Sequence, residues 1–224
     1  MLDARLSLVY DMYPACNLAA DIGTDHGYLP CALLESGKVA SMILTDISPS
    51  ALSHAAAETA RRRLSDRVSL LTGDGLEPIS QVCDTVSITG MGGRTIRQIL
   101  LNGQQKLNGA TLVLSAHTDL PLLRQSLIEI GYTVINEEVC KAASRFYLVI
   151  KAIPGKSELT PREIRLGSCL FSSHSACLRD YLLHRRKVLE RKLKGLLSTT
   201  DLSFDDQINT VREDIDYLDS YIQH

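Results

Sequence analysis

From Leu18 to Ile153 short apolar runs alternate with longer amphipathic stretches. The runs predict strands at 18–21, 42–46, 68–71, 85–89, 112–115, 133–138 and 147–151. The stretches between them predict helices at 28–35, 49–64, 94–102 and 120–130. Strands that alternate with helices form βαβ units, and their strands lie mostly parallel in one sheet. The last two strands are joined only through the short connection KAASR, so they predict an antiparallel pair at the sheet edge. A Rossmann-like α/β sheet, mostly parallel with an antiparallel edge strand, is the expected architecture.

The pattern changes after Pro154-Gly155. Residues 161–197 read as helix with few breakers, and Leu178, Leu182, Leu189, Leu193 and Leu196 form an apolar stripe. A polar turn, STTDLSFDD, follows. Then Ile208, Val211, Ile215, Leu218 and Ile222 step by 3, 4, 3 and 4, the spacing of an a/d seam. Two helices joined by a short turn predict an antiparallel, coiled-coil-like hairpin. Their charges oppose each other. The first carries seven basic residues between Arg179 and Lys194, against Asp180 and Glu190 alone. The second carries Asp205, Asp206, Glu213, Asp214, Asp216 and Asp219, against Arg212 alone. This pattern has two readings, mutual pairing across the hairpin and a basic surface that faces nucleic acid. The expected division is a sheet domain over 1–154 and a helical hairpin over 155–224.

The length of 224 residues suffices for a full α/β domain and a smaller appendage. Hydrophobic content of 45% and charged content of 22% are ordinary for a soluble globular chain. No apolar run approaches the roughly 20 residues that a membrane helix needs. The first residues, MLDARLSLVYDMYPAC, lack a basic segment leading into an apolar one, so a cytoplasmic protein without a signal peptide is expected. Six cysteines lie scattered with no C-x-x-C pair, which predicts free thiols and no metal site. A net charge of −2 gives no general support for nucleic-acid binding. That case rests on local clusters, Arg185-Arg186-Lys187 on the first hairpin helix and Arg61-Arg62-Arg63, which also reads as an ordinary solvated helix end. Nothing in the pattern demands an oligomer, and a monomer is favoured.

In an open parallel sheet the ligand sits beyond the carboxyl ends of the strands. The first predicted strand ends Asp21-Ile22-Gly23-Thr24-Asp25-His26-Gly27. Gly23 permits a tight turn and a close approach of backbone to ligand. The second ends at Asp46, whose carboxylate suits the two hydroxyls of a ribose. The third ends Gly73-Asp74-Gly75, where an acid suits an exocyclic amine and a backbone N–H suits a ring nitrogen. The fourth ends Thr89-Gly90-Met91-Gly92-Gly93, a loop nearly free of side chains. Together these tips describe a pocket for a ribose, an adenine and a charged group.

A dinucleotide requires a pyrophosphate cradle, G-x-G-x-x-G, at a helix start. Here the loop is G-T-D-H-G, and Asp25 would repel a pyrophosphate. S-adenosylmethionine has no phosphate and carries a sulfonium and an ammonium, so carboxylates favour it by Coulomb attraction. Residues alone leave three readings open: a methyltransferase, a nicotinamide oxidoreductase that lacks its phosphate loop, and a non-catalytic RNA-binding protein.

ADIGTDHGYLP, the acid at Asp46, GDGL at 73–76 and ITGMGG at 88–93 closely resemble the bacterial TrmK family. Its members are S-adenosylmethionine-dependent tRNA (adenine-N1)-methyltransferases that modify position 22 in the D arm. Arg5-Leu6 and the C-terminal hairpin are similar to that family too. The resemblance implies that Asp21, Gly23 and Asp25 line the methionine side of the cofactor, with His26 beside them. It implies that Asp46 holds the ribose and that Asp74 and Gly75 read the adenine. Gly90, Met91 and Gly92 would form the loop that takes the target base, with Asp25 near the developing charge. Arg5, His117, Arg185, Arg186 and Lys187 are the candidate tRNA contacts. One departure stands out. Where the family is expected to show a Gln-Pro type sequence after the fifth strand, this chain has Ser115-Ala116-His117.

Overall fold

The computed structural model describes residues 2–198 and 204–223. Its strands are β1 (Cys16–Ile22), β2 (Val39–Asp46), β3 (Val68–Thr72), β4 (Thr85–Met91), β5 (Thr111–Ala116), β6 (Tyr132–Ala142) and β7 (Arg145–Pro154). They form one sheet in the order β3-β2-β1-β4-β5-β7-β6. Neighbours from β3 to β5 pair in parallel. β7 runs antiparallel to both β5 and β6. The expected antiparallel pair is therefore at the edge, with β7 as the reversed strand. The order reverses direction at β1 and β4, and there a parallel sheet opens a crevice.

Helices cover both faces, which is why the central strands are apolar on both sides. On one face α1 (Ala4–Met12), α2 (Tyr28–Glu35) and α3 (Pro49–Arg61) bury Val9, Met12, Leu33, Leu34 and Leu52 against Ala19, Met42 and Leu44. On the other face α4 (Gly93–Asn102), α5 (Gln104–Leu107) and α6 (Leu120–Glu129) bury Ile96, Leu100, Leu107, Leu123 and Leu127 against Val86, Ile88, Leu112 and Leu114. The same apolar cluster continues into α7 (Pro161–Leu166), α8 (Leu178–Leu197) and α9 (Asp205–Ile222).

The pattern of 161–197 as one helix is corrected. Its first turn is α7, closed by a capping box between Thr160 and Glu163. Gly167 then takes φ +112, and only a 3-10 turn at Leu170–Ser172 precedes α8. The intervening polar groups bind the sheet instead of their own helix. The Cys169 amide donates to Glu137 at 3.1 Å, the Val139 amide donates to Ser175 Oγ at 3.0 Å, and Ser173 and Ser175 both donate to Glu138. Helix 49–64 also ends early, at Arg61, because Arg63 turns to φ +59. The helix α1 is absent from the sequence expectation. Asp3 caps it by accepting the Leu6 amide at 2.7 Å, but nine residues are too few for a clear period.

The hairpin closes on Leu182 and Leu189 against Val211, Leu218 and Ile222, all buried. Part of the expected turn, residues 199–203, lies outside the described residues. A buried ion pair, Arg124 with Glu137 at 2.7 Å, joins α6 to β6. The same guanidinium donates to the Ile164 carbonyl at 3.1 Å, so it also holds α7. Arg165 clasps the buried Asp214 of α9 with two bonds of 2.7 and 2.8 Å. Among the described residues no helix is long and apolar enough to cross a membrane.

Candidate active site

The site begins with a carboxylate in the buried C-terminal part of β1. Asp21 is 6% exposed. One oxygen accepts from Thr24 Oγ1 at 2.8 Å and the other from Ser87 Oγ at 2.6 Å. The buried Tyr13 hydroxyl donates in turn to Ser87 Oγ at 2.9 Å. Burial pushes the Asp21 carboxyl up, and the hydrogen bonds from Ser87 and Thr24 with the Arg5 charge oppose that. Burial likewise raises Tyr13 well above the usual phenol range. Sequence reasoning missed Tyr13, Thr24 and Ser87. The available signal was a serine inside the apolar run of β4.

The loop after β1 then turns on Gly23, at φ +73, whose amide donates to the Thr45 carbonyl at 2.8 Å. A Cβ built on Gly23 would overlap the Met91 methyl. The thioether of Met91 thus lies over the loop and joins the tips of β1 and β4. Asp25 and His26 are exposed, with carboxylate and imidazole 3.4 Å apart. His26 stacks on His54 with centroids 5.2 Å apart. Asp25, His26 and His54 bring one donor atom each within 4.8 Å of one another, all on the exposed surface.

β4 ends differently from its expected limit. The strand runs to Met91, and its register with β5 shifts between Thr89 and Met91. Gly90 sits at that bulge with φ +81. Bulges recur beside active sites because they re-aim the chain and leave a residue unpaired. A Cβ on Gly90 would stand 3.4 Å from the Arg5 guanidinium and 4.0 Å from His117 Nε2. The His117 amide donates to the Met91 carbonyl at 2.9 Å. The departing Ser115-Ala116-His117 segment therefore borders this loop. Ser115 is buried and donates to the Leu148 carbonyl at 3.1 Å, while His117 is exposed.

Arg5, Asp21, Gly23, Asp25, His26, Gly90 and His117 line one cleft of about 240 Å³. Asp74 and Gly75 line a second cavity of about 430 Å³ with Thr95, Gln98 and Ile99 of α4. The Gly75 carbonyl accepts from Thr45 Oγ1 at 3.0 Å, which ties the β3 tip to β2. Asp46 ends β2, which lies between β1 and β3, and one of its oxygens accepts the Ser48 amide at 2.8 Å. The next residue, Ile47, is 73% exposed, an apolar side chain held out just past the tip of β2. Gly92 precedes the first turn of α4.

The basic candidates lie elsewhere. Arg185, Arg186 and Lys187 are on α8. Arg186 pairs with Asp219 of α9 at 2.6 Å and with Glu190 at 3.0 Å, so its charge is largely used inside the hairpin. Arg185 Nη2 lies 3.5 Å from the Arg165 carbonyl, and Lys187 is exposed. Arg61 and Arg62 both bind Glu58, and Arg62 also binds Glu35 at 2.8 Å. These bonds, Arg61 first, hold the Glu58 carboxyl down at about 2. Arg61 and Arg62 are thus satisfied by carboxylates of α3 and α2, while Arg63 is exposed beyond the helix end.

The methyltransferase domain family matches residues 2–150. The tRNA (adenine(22)-N(1))-methyltransferase of Bacillus subtilis (strain 168) is 33% identical over 169 residues, which span 75% of this chain and 71% of that protein. Among solved structures, the B. subtilis M1A22 tRNA methyltransferase TrmK superposes with a TM-score of 0.86 at 24% identity, over 99% of each chain. M. capricolum TrmK in complex with S-adenosyl-homocysteine superposes with a TM-score of 0.80 at 24% identity, over 100% of this chain and 98% of that one. These two likenesses speak to the fold. Sequence identity and the matched domain speak to descent, and by them the chain belongs to the TrmK family of methyltransferases.

Proposed function

We infer that this protein transfers a methyl group from S-adenosylmethionine to N1 of an adenine in the D arm of tRNA, at position 22. The observation that carries the reading is a pairing at the sheet's crevice. An acidic loop that turns on Gly23 faces the bulge at Gly90, where the main chain is open. The curated relative from B. subtilis acts on that position of tRNA by its name.

The residues present suit the cofactor. The loop after β1 offers the Asp25 carboxylate and no lysine, which favours a cation over a phosphate. When bound, S-adenosylmethionine supplies an electrophilic methyl group on a cationic sulfur. Asp46 is the candidate for the ribose hydroxyls, and exposed Ile47 offers the adenine an apolar surface beside it. Asp74 and Gly75 are the candidates for the adenine edge. Asp21 lines the cleft as well, and beyond the bonds it accepts from Thr24 and Ser87 each of its oxygens keeps an acceptor site for the ligand. It fixes the loop from which Asp25 and His26 project.

Adenine N1 has a free lone pair in the neutral base, so the chemistry asks for no general base. It asks for an in-line approach, exclusion of water and orientation. The Gly90–Gly92 main chain leaves room for a ring and offers carbonyls to its exocyclic amine. Met91, lying over Gly23, is the wall between the cofactor side and the base side. Methylation makes the base cationic, and the Asp25 carboxylate stabilises that charge. Arg5 and His117 stand at the entrance beside Gly90, where they meet the nucleotide from outside. The base must leave its stack to reach the cleft, at a cost of a few kcal/mol. Phosphate contacts of the 155–224 segment offset that cost, with Lys187 and Arg185 as better candidates than the paired Arg186.

The test is methyl transfer from labelled S-adenosylmethionine. Unmodified tRNA transcripts should take label and free adenosine should not. Transfer to the nucleoside alone would replace the tRNA reading with that of a small-molecule methyltransferase.

A further inference from the structure

A cavity of about 440 Å³ adjoins the cleft and has the opposite chemistry. It begins at His117, which lines both, and passes the β6–β7 turn to reach α8. Arg145 and Arg185 stand along it with His117 and His184, and no carboxylate lines it among the described residues. The neighbouring cleft, by contrast, holds Asp21 and Asp25. Rings form much of its wall. Phe146 packs edge-on against Tyr181 at 5.6 Å and lies 5.4 Å from His184, so it belongs to the floor. The Lys141 ammonium lies 5.4 Å from the same ring and adds a cation beside the turn. Tyr147 is half-buried, edge-on to His117 at 5.8 Å, with the Arg5 guanidinium 5.8 Å from its centroid.

We propose that this groove holds the unpaired RNA strand adjoining the extruded adenine, with phosphates toward Arg145 and Arg185 and a flanking base against Tyr147. The inference rests on the tRNA reading above and deepens it. A base that enters the cleft at Gly90 takes its backbone with it, and one strand direction must leave past His117. Basic groups with aromatic rings along a groove are the chemistry that holds single-stranded nucleic acid. The carboxylate-lined cleft repels a phosphate backbone and the groove attracts one. The groove also connects the reacting edge of the sheet to the basic helix, which the cleft alone does not.

Three variants test this in the full-length protein: Arg145→Ala, Tyr147→Ala and Tyr147→Phe. Each is measured for S-adenosylmethionine affinity by calorimetry, for kcat and KM with tRNA, and for tRNA affinity across a salt series. Arg145 is exposed, so its truncation leaves the fold intact. Arg145→Ala should weaken tRNA binding and lower the slope of log affinity against log salt by about 1. Tyr147→Ala should raise the KM for tRNA roughly 5- to 100-fold, as loss of a stacked base does, and Tyr147→Phe should restore it. Cofactor affinity should stay at the wild-type value in all three. Wild-type KM and salt slope in both alanine variants, with 1-methyladenosine still formed by the wild-type enzyme, overturn the groove and leave the activity standing. Weakened cofactor binding in Tyr147→Ala overturns it too, since the ring would then support the cleft rather than the strand. If the wild-type enzyme methylates no tRNA, the functional reading falls and the groove falls with it.

Discussion

At Gly23 a single absent carbon keeps the cleft open. Its φ of +73 and the Met91 methyl above it leave no place for a side chain. Gly23→Ala adds about 1–2 kcal/mol of left-handed backbone strain and drives Met91 toward the cleft. Calorimetry should show cofactor affinity lost by an order of magnitude or more, with a folded protein of modestly lower Tm. Asp46→Ala removes an acceptor for two hydroxyls. Charged hydrogen bonds contribute about 1.5–3 kcal/mol, so the cofactor Kd should rise roughly 10- to 100-fold while tRNA affinity holds. An unchanged Kd would remove Asp46 from the ribose. Asp21 gives a pH signature. Its folded pKa is raised by burial above the unfolded value. Its contribution to stability is therefore full below the unfolded pKa and is lost as pH rises through the folded one. As pH rises above the ordinary carboxylate range, the denaturant midpoint of the wild type should fall relative to that of Asp21→Asn. A gap independent of pH would mean that Asp21 is not held in that state. Acids and glycines at the strand tips were legible because each type carries its own chemistry. Tyr13, Ser87, Arg145 and Tyr147 were not, since what they meet lies far away in the chain, as Tyr13 and Ser87 lie 74 apart.

At the level of elements, α2 occupies the very residues its pattern predicts, 28–35, because Gly27 at φ +68 opens it and its apolar positions face the sheet. The α7–α8 region departs from its pattern for a tertiary reason. Gly167 and a serine-rich link give up helical bonds to meet Glu137, Glu138 and Val139 on β6. Apolar periodicity does not register such competition. The β4 bulge was hidden for the same kind of reason, as strand length depends on the partner strand. The pair Arg124–Glu137 lies at the centre of this joint, with exposures of 1% and 0%. Removing one partner of a buried pair leaves an uncompensated charge and costs about 3–5 kcal/mol. Urea unfolding of Glu137→Gln should show that loss, whereas Glu213→Gln, at an exposed pair with Arg162, should move the midpoint little. Equal losses in the two variants would contradict the joint.

Over the whole molecule, charge is sorted by place although the net value is only −2. Carboxylates gather at the tips of β1, β2 and β3, and cations line the path from His117 to α8. The hairpin spends part of its basic charge internally, through Arg186 with Asp219, while Arg165 of α7 takes up Asp214 of its second helix. Mutual pairing and a basic outer surface thus coexist, where the sequence left them as alternatives. The sheet and its crevice were readable from alternation alone, but the way α7 to α9 share the core of one sheet face was not. The most direct measurement is a position-resolved methylation assay. The enzyme, S-adenosylmethionine and unmodified tRNA are incubated, and the product is digested and mapped by mass spectrometry, beside a transcript with guanine in place of adenine 22. The enzyme should form 1-methyladenosine at position 22 in the first transcript and leave the second unmethylated. Methylation of both to the same extent, or of neither while the cofactor binds, would contradict that assignment.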